Sequence, residues 1–232
     1  MSHTRRACEE YALIEDGDRV IAAVSGGKDS LAMLAALAKM RDFYPKKYEL
    51  AAVTVSLGFK GHDLEPVRRY CAKLGVPYII VETDIADVVF NERKEANPCS
   101  LCAKMRKGAL NNEALRLGGT KVAYGHNRDD VIHTFLMALL YEGRIHTFAP
   151  KTFLSKTGLH AIRPIMYVPE RDVVSFVKNA CLPVVKSPCP ADGHTKREEA
   201  RRLTAELSQK FGSVETKIFN AVRRSILARE GE

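Results

Sequence analysis

The run Ile21-Ala22-Ala23-Val24-Ser25-Gly26-Gly27-Lys28-Asp29-Ser30 constrains this chain more than any other stretch. Ile21 to Val24 is a short apolar segment of the kind a covered parallel strand shows. Gly26 and Gly27 allow a tight turn and a close approach of the backbone to a ligand. Leu31 to Ala38 then has strong helix propensity. A helix that begins behind a glycine turn presents free N–H groups and the positive end of its dipole to an anion. Lys28 adds a full charge there, and Ser25, Asp29 and Ser30 add side-chain oxygens. Strand, turn and helix together predict a phosphate site on an α/β fold. The G-x-x-x-x-G-K-S/T spacing of the common P-loop is absent.

The rest of the chain keeps the alternation. Arg6 to Ile14 predicts a short amphipathic lead-in helix, closed by Asp16-Gly17-Asp18. Tyr48 to Ser56 and Pro77 to Glu82 predict strands around a helix from Glu65 to Leu74, which Gly75 stops. Asp84 to Glu92 predicts a helix, Lys121 to Tyr124 a buried strand, and Val131 to Tyr141 a long apolar helix. Glu142 to His160 predicts a loop or hairpin, and Leu182 to Val185 a short strand. Such alternation implies βαβ units and a parallel sheet. Ligands of these sheets bind beyond the C-terminal strand ends. The loops after Val24, Val55 and Val81 are therefore the expected walls of one site. From His194 onward the chain reads as helical and charged, with Lys196, Arg197, Arg201 and Arg202 among its cations. That pattern suits a solvated face or an RNA-facing surface.

Two further stretches carry chemistry. Asn97-Pro98-Cys99-Ser100-Leu101-Cys102 opens a basic helix. A C-x-x-C at a helix start can be a redox pair, half of a zinc site or two ligands of an iron–sulfur cluster, and its spacing alone does not choose. Ser187-Pro188-Cys189-Pro190 offers a third thiol, whereas Cys71 sits in the apolar rhythm of a helix and reads as core. Gly125-His126-Asn127-Arg128-Asp129-Asp130 closes a strand. Paired aspartates beside a nucleotide suit Mg²⁺ or phosphate chemistry; the blander alternative is a helix N-terminus, with one of them offsetting the dipole.

Composition narrows the class. The chain has 232 residues, 46% of them hydrophobic, enough for one sizeable core. A formal charge of +8 favours a polyanionic partner. No run of about eighteen apolar residues exists, so no membrane span is expected. Met1 to Glu15 has no apolar stretch of the secretory kind. Six cysteines read as reduced thiols, metal ligands or catalytic groups before disulfides, and the expected location is the cytoplasm.

Ser25 to Ser30 resembles the PP-loop of the ATP pyrophosphatase (adenine nucleotide alpha-hydrolase-like, HUP) superfamily. With Cys99-Ser100-Leu101-Cys102, Gly125 to Asp130, Ile162-Arg163-Pro164 and Pro188-Cys189 in that order, the chain resembles the TtcA/TtuA family of PP-loop tRNA thiolation enzymes from Ile14 to about Arg224. The likeness is nearest the cytidine 2-sulfurtransferase branch. It implies a Rossmann-like parallel sheet with a helical C-terminal extension, divided as lead-in 1–18, PP-loop domain 19–190 and extension 191–232.

By the same resemblance the cofactors are ATP, Mg²⁺ and a [4Fe-4S] cluster. Ala23, Ser25, Gly26, Gly27, Lys28, Asp29, Ser30 and Gly125 would contact the nucleotide. Lys28, Arg106 and Asp129 would serve catalysis, and Asp129 and Asp130 would meet Mg²⁺. Cys99, Cys102 and Cys189 would hold the cluster and leave its fourth iron open to sulfide. The implied reaction adenylates a tRNA base at its oxygen, releases pyrophosphate, and then displaces AMP with sulfur. Implied partners are tRNA, a sulfur donor such as a cysteine desulfurase or inorganic sulfide, and a second copy of the chain.

Two departures qualify the match. Only Cys8 precedes the PP-loop, which argues against the zinc-bearing thiouridine branch. Val55-Ser56-Leu57-Gly58-Phe59 lacks the acidic residue many relatives carry after the second strand. The competing assignments are a zinc site closed by His194, a PP-loop ligase acting on a tRNA base, and a nucleotide-binding module without turnover.

Overall fold

The computed structural model describes residues 1–59, 61–93, 98–190, 196–225 and 227. Its centre is a six-stranded sheet in the order β3-β2-β1-β4-β6-β5. The strands are β1 (Asp18–Ala23), β2 (Tyr48–Ser56), β3 (Tyr78–Glu82), β4 (Lys121–Ala123), β5 (Lys151–Leu154) and β6 (Leu159–Ile162). All neighbours are parallel except β5, which pairs antiparallel with β6 as a hairpin. That hairpin occupies the second half of the expected 142–160 excursion and runs on to Ile162.

Helices cover both faces. They are α1 (Ser2–Glu10), α2 (Lys28–Met40), α3 (Glu65–Lys73), α4 (Ile85–Asp87, continued by a π-helical turn Val88–Glu92), α5 (Pro98–Arg116), α6 (Arg128–Glu142), α7 (Glu170–Asn179), α8 (Lys196–Phe211) and α9 (Val214–Ser225). The two-residue period of β1 decides which face each side chain serves. Val20 and Ala22 join Leu31, Leu34 and Ile132 in the larger core, while Ile21 joins Val53, Leu110 and Val122 in the smaller one. Both faces of β1 are buried, as its continuous apolar run requires. Ala7 and Cys8 of α1 and Phe219 and Val222 of α9 lie in the larger core with α2. No described helix is long and apolar enough to cross a membrane.

Two expectations change. The lead-in helix ends at Glu10 instead of Ile14. The chain turns at Ala12, whose φ is +44°, and so buries Leu13 and Ile14 completely. Leu182 to Val185 forms no strand. The sheet centre offers that segment no open edge, because β1 already pairs with β2 on one side and β4 on the other. Instead the Val185 N–H donates to the Gly26 carbonyl at 3.0 Å, which pins the segment across the glycine turn.

Candidate active site

The strand order reverses direction around β1, so the loop after β1 and the loop after β4 leave the sheet side by side. The first becomes the N-terminus of α2. Gly27 is its N-cap residue, and no side chain caps it. The first-turn N–H groups of Lys28, Asp29 and Ser30 have no i−4 carbonyl within the helix, the arrangement that suits a phosphate. The turn is held from within. Ser30 Oγ donates to the Gly27 carbonyl at 2.9 Å and accepts from the Ser25 N–H at 3.2 Å. Thr54 Oγ1 donates to the Val24 carbonyl at 2.5 Å, and Tyr78 donates its hydroxyl proton to Thr54 Oγ1 at 2.8 Å.

Two glycines are dictated by this packing. Gly26 has φ +82°, and a Cβ there would also sit 3.2 Å from Val185 Cβ. At Gly125 a Cβ would lie 2.9 Å from the Ser30 backbone nitrogen and 3.0 Å from Asp29 C. The loop after β4 can approach the start of α2 only because position 125 has no side chain.

Asn127 then couples the two loops. It caps α6, its Oδ1 accepting from the Asp129 and Asp130 N–H groups at 2.9 and 3.1 Å. Asp130 Oδ2 accepts from the Asn127 N–H at 3.0 Å and completes a capping box. The amide Nδ2 of Asn127 crosses to Asp29 Oδ1 at 2.8 Å.

Around these loops lies a cavity of about 800 Å³. Ala23, Ser25, Gly27, Lys28, Asp29 and Ser30 form one end of it, with Gly125 and Asp130 beside them. Arg106 and Lys107 of α5 line the same space, as do Ser187 and Pro188. Of the sequence-predicted residues, Gly26, Asp129 and the three cysteines Cys99, Cys102 and Cys189 are off this wall. Gly26 shapes the turn from behind. Asp129 faces a neighbouring cavity, where its Oδ2 accepts from the Glu170 N–H at 2.7 Å. Asp130 Oδ1 accepts from Arg197 at 3.0 Å. Of the three expected loop walls, those after Val24 and Val55 are present, the latter through Leu57, Phe59 and His62. The loop after Val81 is not on the cavity; the Thr83 N–H and hydroxyl are spent on the Ser56 carbonyl.

Lys28 is held by two carboxylates, Asp29 Oδ2 at 2.6 Å and Glu170 Oε1 at 2.8 Å. Burial alone would lower its pKa, but hydrogen bonds to both carboxylates outweigh it and raise the pKa above the ordinary lysine value. Burial pushes Glu170 upward, and its bonds to Arg201 and Lys28 outweigh that and bring it below the ordinary glutamate value. His126 lines the cavity with its ring stacked on Phe148, centroids 4.9 Å apart. Burial, reinforced by the charges of Arg163 and Arg197, pushes His126 down to about 3. Its Nδ1 and the hydroxyl of Tyr124 are buried with no hydrogen-bond partner among the described residues.

The three thiols are not on the cavity wall, but residues beside two of them are. Cys102 lies one helical turn before Arg106, and Cys189 follows Pro188 directly. Burial raises the Cys102 pKa, Arg106 lowers it, and Cys189 and Cys99 raise it, so the three cysteines share one neighbourhood. Among the described residues no three Cys, His, Asp or Glu side chains stand close enough together to hold a metal ion. The donor set itself is three reduced, partly accessible cysteines, the chemistry an iron–sulfur cluster takes. Cys8 and Cys71 are buried apart from it. His194, the residue that would close a zinc site, lies outside the described residues.

Three features escaped the sequence. Glu170, Asn127 and the 185–188 segment each act across the fold. Arg197 and Arg201, expected on a solvated or RNA-facing surface, turn to Asp130 and Glu170 instead.

Residues 2–207 match the ATP_bind_3 family, a PP-loop domain. The chain is 37% identical over 226 residues to the tRNA-cytidine(32) 2-sulfurtransferase of Bordetella petrii, across 96% of this chain and 69% of that protein. It is 34% identical over 220 residues to the protein of the same name from Geobacter sulfurreducens, across 94% and 86%. Among solved structures it is similar to the U34-tRNA thiolase NcsA from Methanococcus maripaludis with its [4Fe-4S] cluster, at a TM-score of 0.78 and 25% identity, over 96% of this chain and 77% of that one.

Proposed function

We propose, from the premise that this chain belongs to the PP-loop family of tRNA-cytidine(32) 2-sulfurtransferases, that it is an ATP-dependent tRNA thiolase that converts a cytidine to 2-thiocytidine. One observation carries the reading: a single cavity is lined both by the PP-loop and by Ala103 and Pro188, the chain neighbours of Cys102 and Cys189. Activation and sulfur delivery need those two chemistries within reach of one base.

In the first step the base oxygen bonds to the α-phosphorus of ATP, and the bond to the β-phosphate oxygen breaks. The free N–H groups of α2 and the Lys28 ammonium hold the phosphates and offset the charge that builds on the leaving pyrophosphate. Lys28 must exchange a carboxylate for phosphate oxygen to do so. Among the described residues Asp29 and Asp130 are the carboxylates on the cavity wall, and they would hold Mg²⁺. Asp129 supports them indirectly, by fixing the start of α7 and hence Glu170. Arg106 adds a cation between phosphates and thiols. Ala23, Ser25 and Gly125 line the space the nucleotide would take, with backbone and small side chains.

In the second step sulfur replaces the adenylated oxygen and AMP leaves. Cys99, Cys102 and Cys189 would hold a [4Fe-4S] cluster, which would present donor-derived sulfide as the nucleophile. His126 stays uncharged and keeps the wall beside the base free of a further cation. On this reading the protein works in the cytoplasm, as a homodimer, with sulfur from a cysteine desulfurase or inorganic sulfide.

The test is anaerobic purification with iron, sulfide and zinc quantitation, for the wild type and Cys189→Ala, followed by mass spectrometry of tRNA nucleosides. The expected result is about four irons per chain, a cluster lost or unstable in the variant, and 2-thiocytidine formed only with ATP. Stoichiometric zinc without iron, or tRNA unchanged by the iron-loaded protein, would overturn it.

A further inference from the structure

A second cavity, of about 650 Å³, lies on the far side of Lys28. Among the described residues Lys28 alone lines both cavities. Arg128, Arg171 and Arg201 join it on the second wall, against the carboxylates of Asp129, Glu170 and Glu215. Those carboxylates are already engaged. Glu170 is shared between Lys28 and Arg201, Asp129 accepts from the Glu170 N–H, and Glu215 accepts from Ser208 Oγ at 2.7 Å. The cations are less fully used. Arg128 Nε is buried without a hydrogen-bond partner among the described residues, and its nearest carboxylate oxygen is 4.0 Å away on Asp129. Arg171 is 83% exposed and meets only the adjacent Asp172, at 3.7 Å, among the described ion pairs.

Two helix starts reinforce this positive balance. Pro169 and Glu170 open α7, and Ser213, Glu215 and Thr216 open α9, so both dipoles direct their positive ends at the same space. A cavity of this size with surplus cations and two helix N-termini is built for a small polyanion.

The geometry points to this cavity as a binding site for the inorganic pyrophosphate that leaves the PP-loop, with Lys28 as the shared cation. The inference rests on the adenylation reading, which makes pyrophosphate inside the protein. Glu170 gives the exchange its mechanism. Its carboxylate competes with phosphate oxygen for Lys28, so each return of Glu170 to Lys28 loosens the product from the PP-loop. The released anion then meets Arg128, Arg171 and Arg201 on the way out.

The experiment is calorimetric titration of the nucleotide-free full chain with inorganic pyrophosphate, and separately with a non-hydrolysable ATP analogue. Arg171→Gln removes an exposed cation. Thr216→Glu places a negative charge in the cavity at a helix position that accepts acids, so the fold is kept. Each variant is expected to weaken pyrophosphate binding by about tenfold, the scale of one charge-assisted hydrogen bond, and to weaken the analogue far less. Unchanged pyrophosphate affinity in both variants, equal losses for both ligands, or no pyrophosphate binding by the wild type would overturn the site. Failure of the adenylation reading shows separately, as no AMP or pyrophosphate release with ATP and tRNA.

Discussion

Asn127 donates from Nδ2 to Asp29 Oδ1 at 2.8 Å, and that bond ties the motif after β4 to the PP-loop. The same side chain caps α6, so cap and coupling can be separated by the choice of replacement. Asn127→Asp keeps a good capping oxygen but sets a carboxylate against Asp29. It is expected to retain most of the stability and to raise the KM for ATP by about tenfold, equivalent to roughly 1.4 kcal/mol. Asn127→Ala loses the cap as well and is expected to cost about 1 kcal/mol or more of stability. Urea unfolding and ATP-dependent AMP release measure the two effects. Equal ATP kinetics for wild type and Asn127→Asp would remove the coupling role.

Gly125 is a steric requirement. The Cβ of an alanine would stand 2.9 Å from the Ser30 nitrogen, and the atoms in its way are backbone, which cannot rotate aside. Gly125→Ala is therefore expected to push the start of α2 away from β4, at a cost of about 1–3 kcal/mol. Because the displaced N–H groups are the phosphate donors, nucleotide affinity falls with stability. Thermal melts with and without ATP test this: the variant should lose most of the ligand-induced rise in Tm. A full ATP shift in the variant would contradict the packing.

The sheet and the phosphate turn are legible in the sequence because their signals are local. Continuous apolar runs mark strands buried on both faces, and the glycine pair marks a turn whose φ of +82° at Gly26 only glycine readily adopts. The aspartate pair carries two local meanings, capping and site chemistry, and the structure uses both: Asp130 closes the capping box while lining the cavity. Glu170 is not legible. An acid in the first turn of a helix has a sufficient local reason in the dipole, and nothing near it in sequence points to Lys28. Val185 misleads for the opposite cause. Its apolar neighbourhood has strand character, but a strand needs a free edge, and only the assembled sheet reveals that β1 has none.

The six cysteines divide by environment. Burial pushes the Cys8 thiol up to about 12 and the Cys71 thiol up to about 11, so at neutral or mildly alkaline pH neither presents a thiolate. Cys99 and Cys181 are exposed, and Cys102 and Cys189 are partly so. Iodoacetamide at about pH 8 is expected to alkylate these four in the metal-free protein and to spare Cys8 and Cys71. After iron–sulfur reconstitution Cys99, Cys102 and Cys189 should become protected while Cys181 stays reactive. Peptide mass spectrometry gives the site-by-site result, and a reactive Cys189 in the reconstituted protein would exclude it as a ligand.

His126 sets an acid limit on the fold. The ring is stacked between Tyr124 and Phe148, and Arg163 and Arg197 stand near it, so a proton there would be both desolvated and repelled. Its folded pKa of about 3 lies far below the ordinary histidine value of 6.5. Below that ordinary value the unfolded chain binds a proton that the native chain refuses, and stability must fall with pH. The contribution is complete above about pH 6.5 and is lost progressively as pH drops toward the folded value. Between about pH 7.5 and pH 5 the loss from this one group is about 2 kcal/mol. Other groups titrate in the same range, so the useful quantity is the difference between wild type and His126→Gln. Urea unfolding at the two pH values should show the wild type losing more stability than the variant. Parallel losses would mean that His126 is protonated in the native protein, and that the cavity wall beside the PP-loop carries a charge the buried, stacked ring is not built to hold.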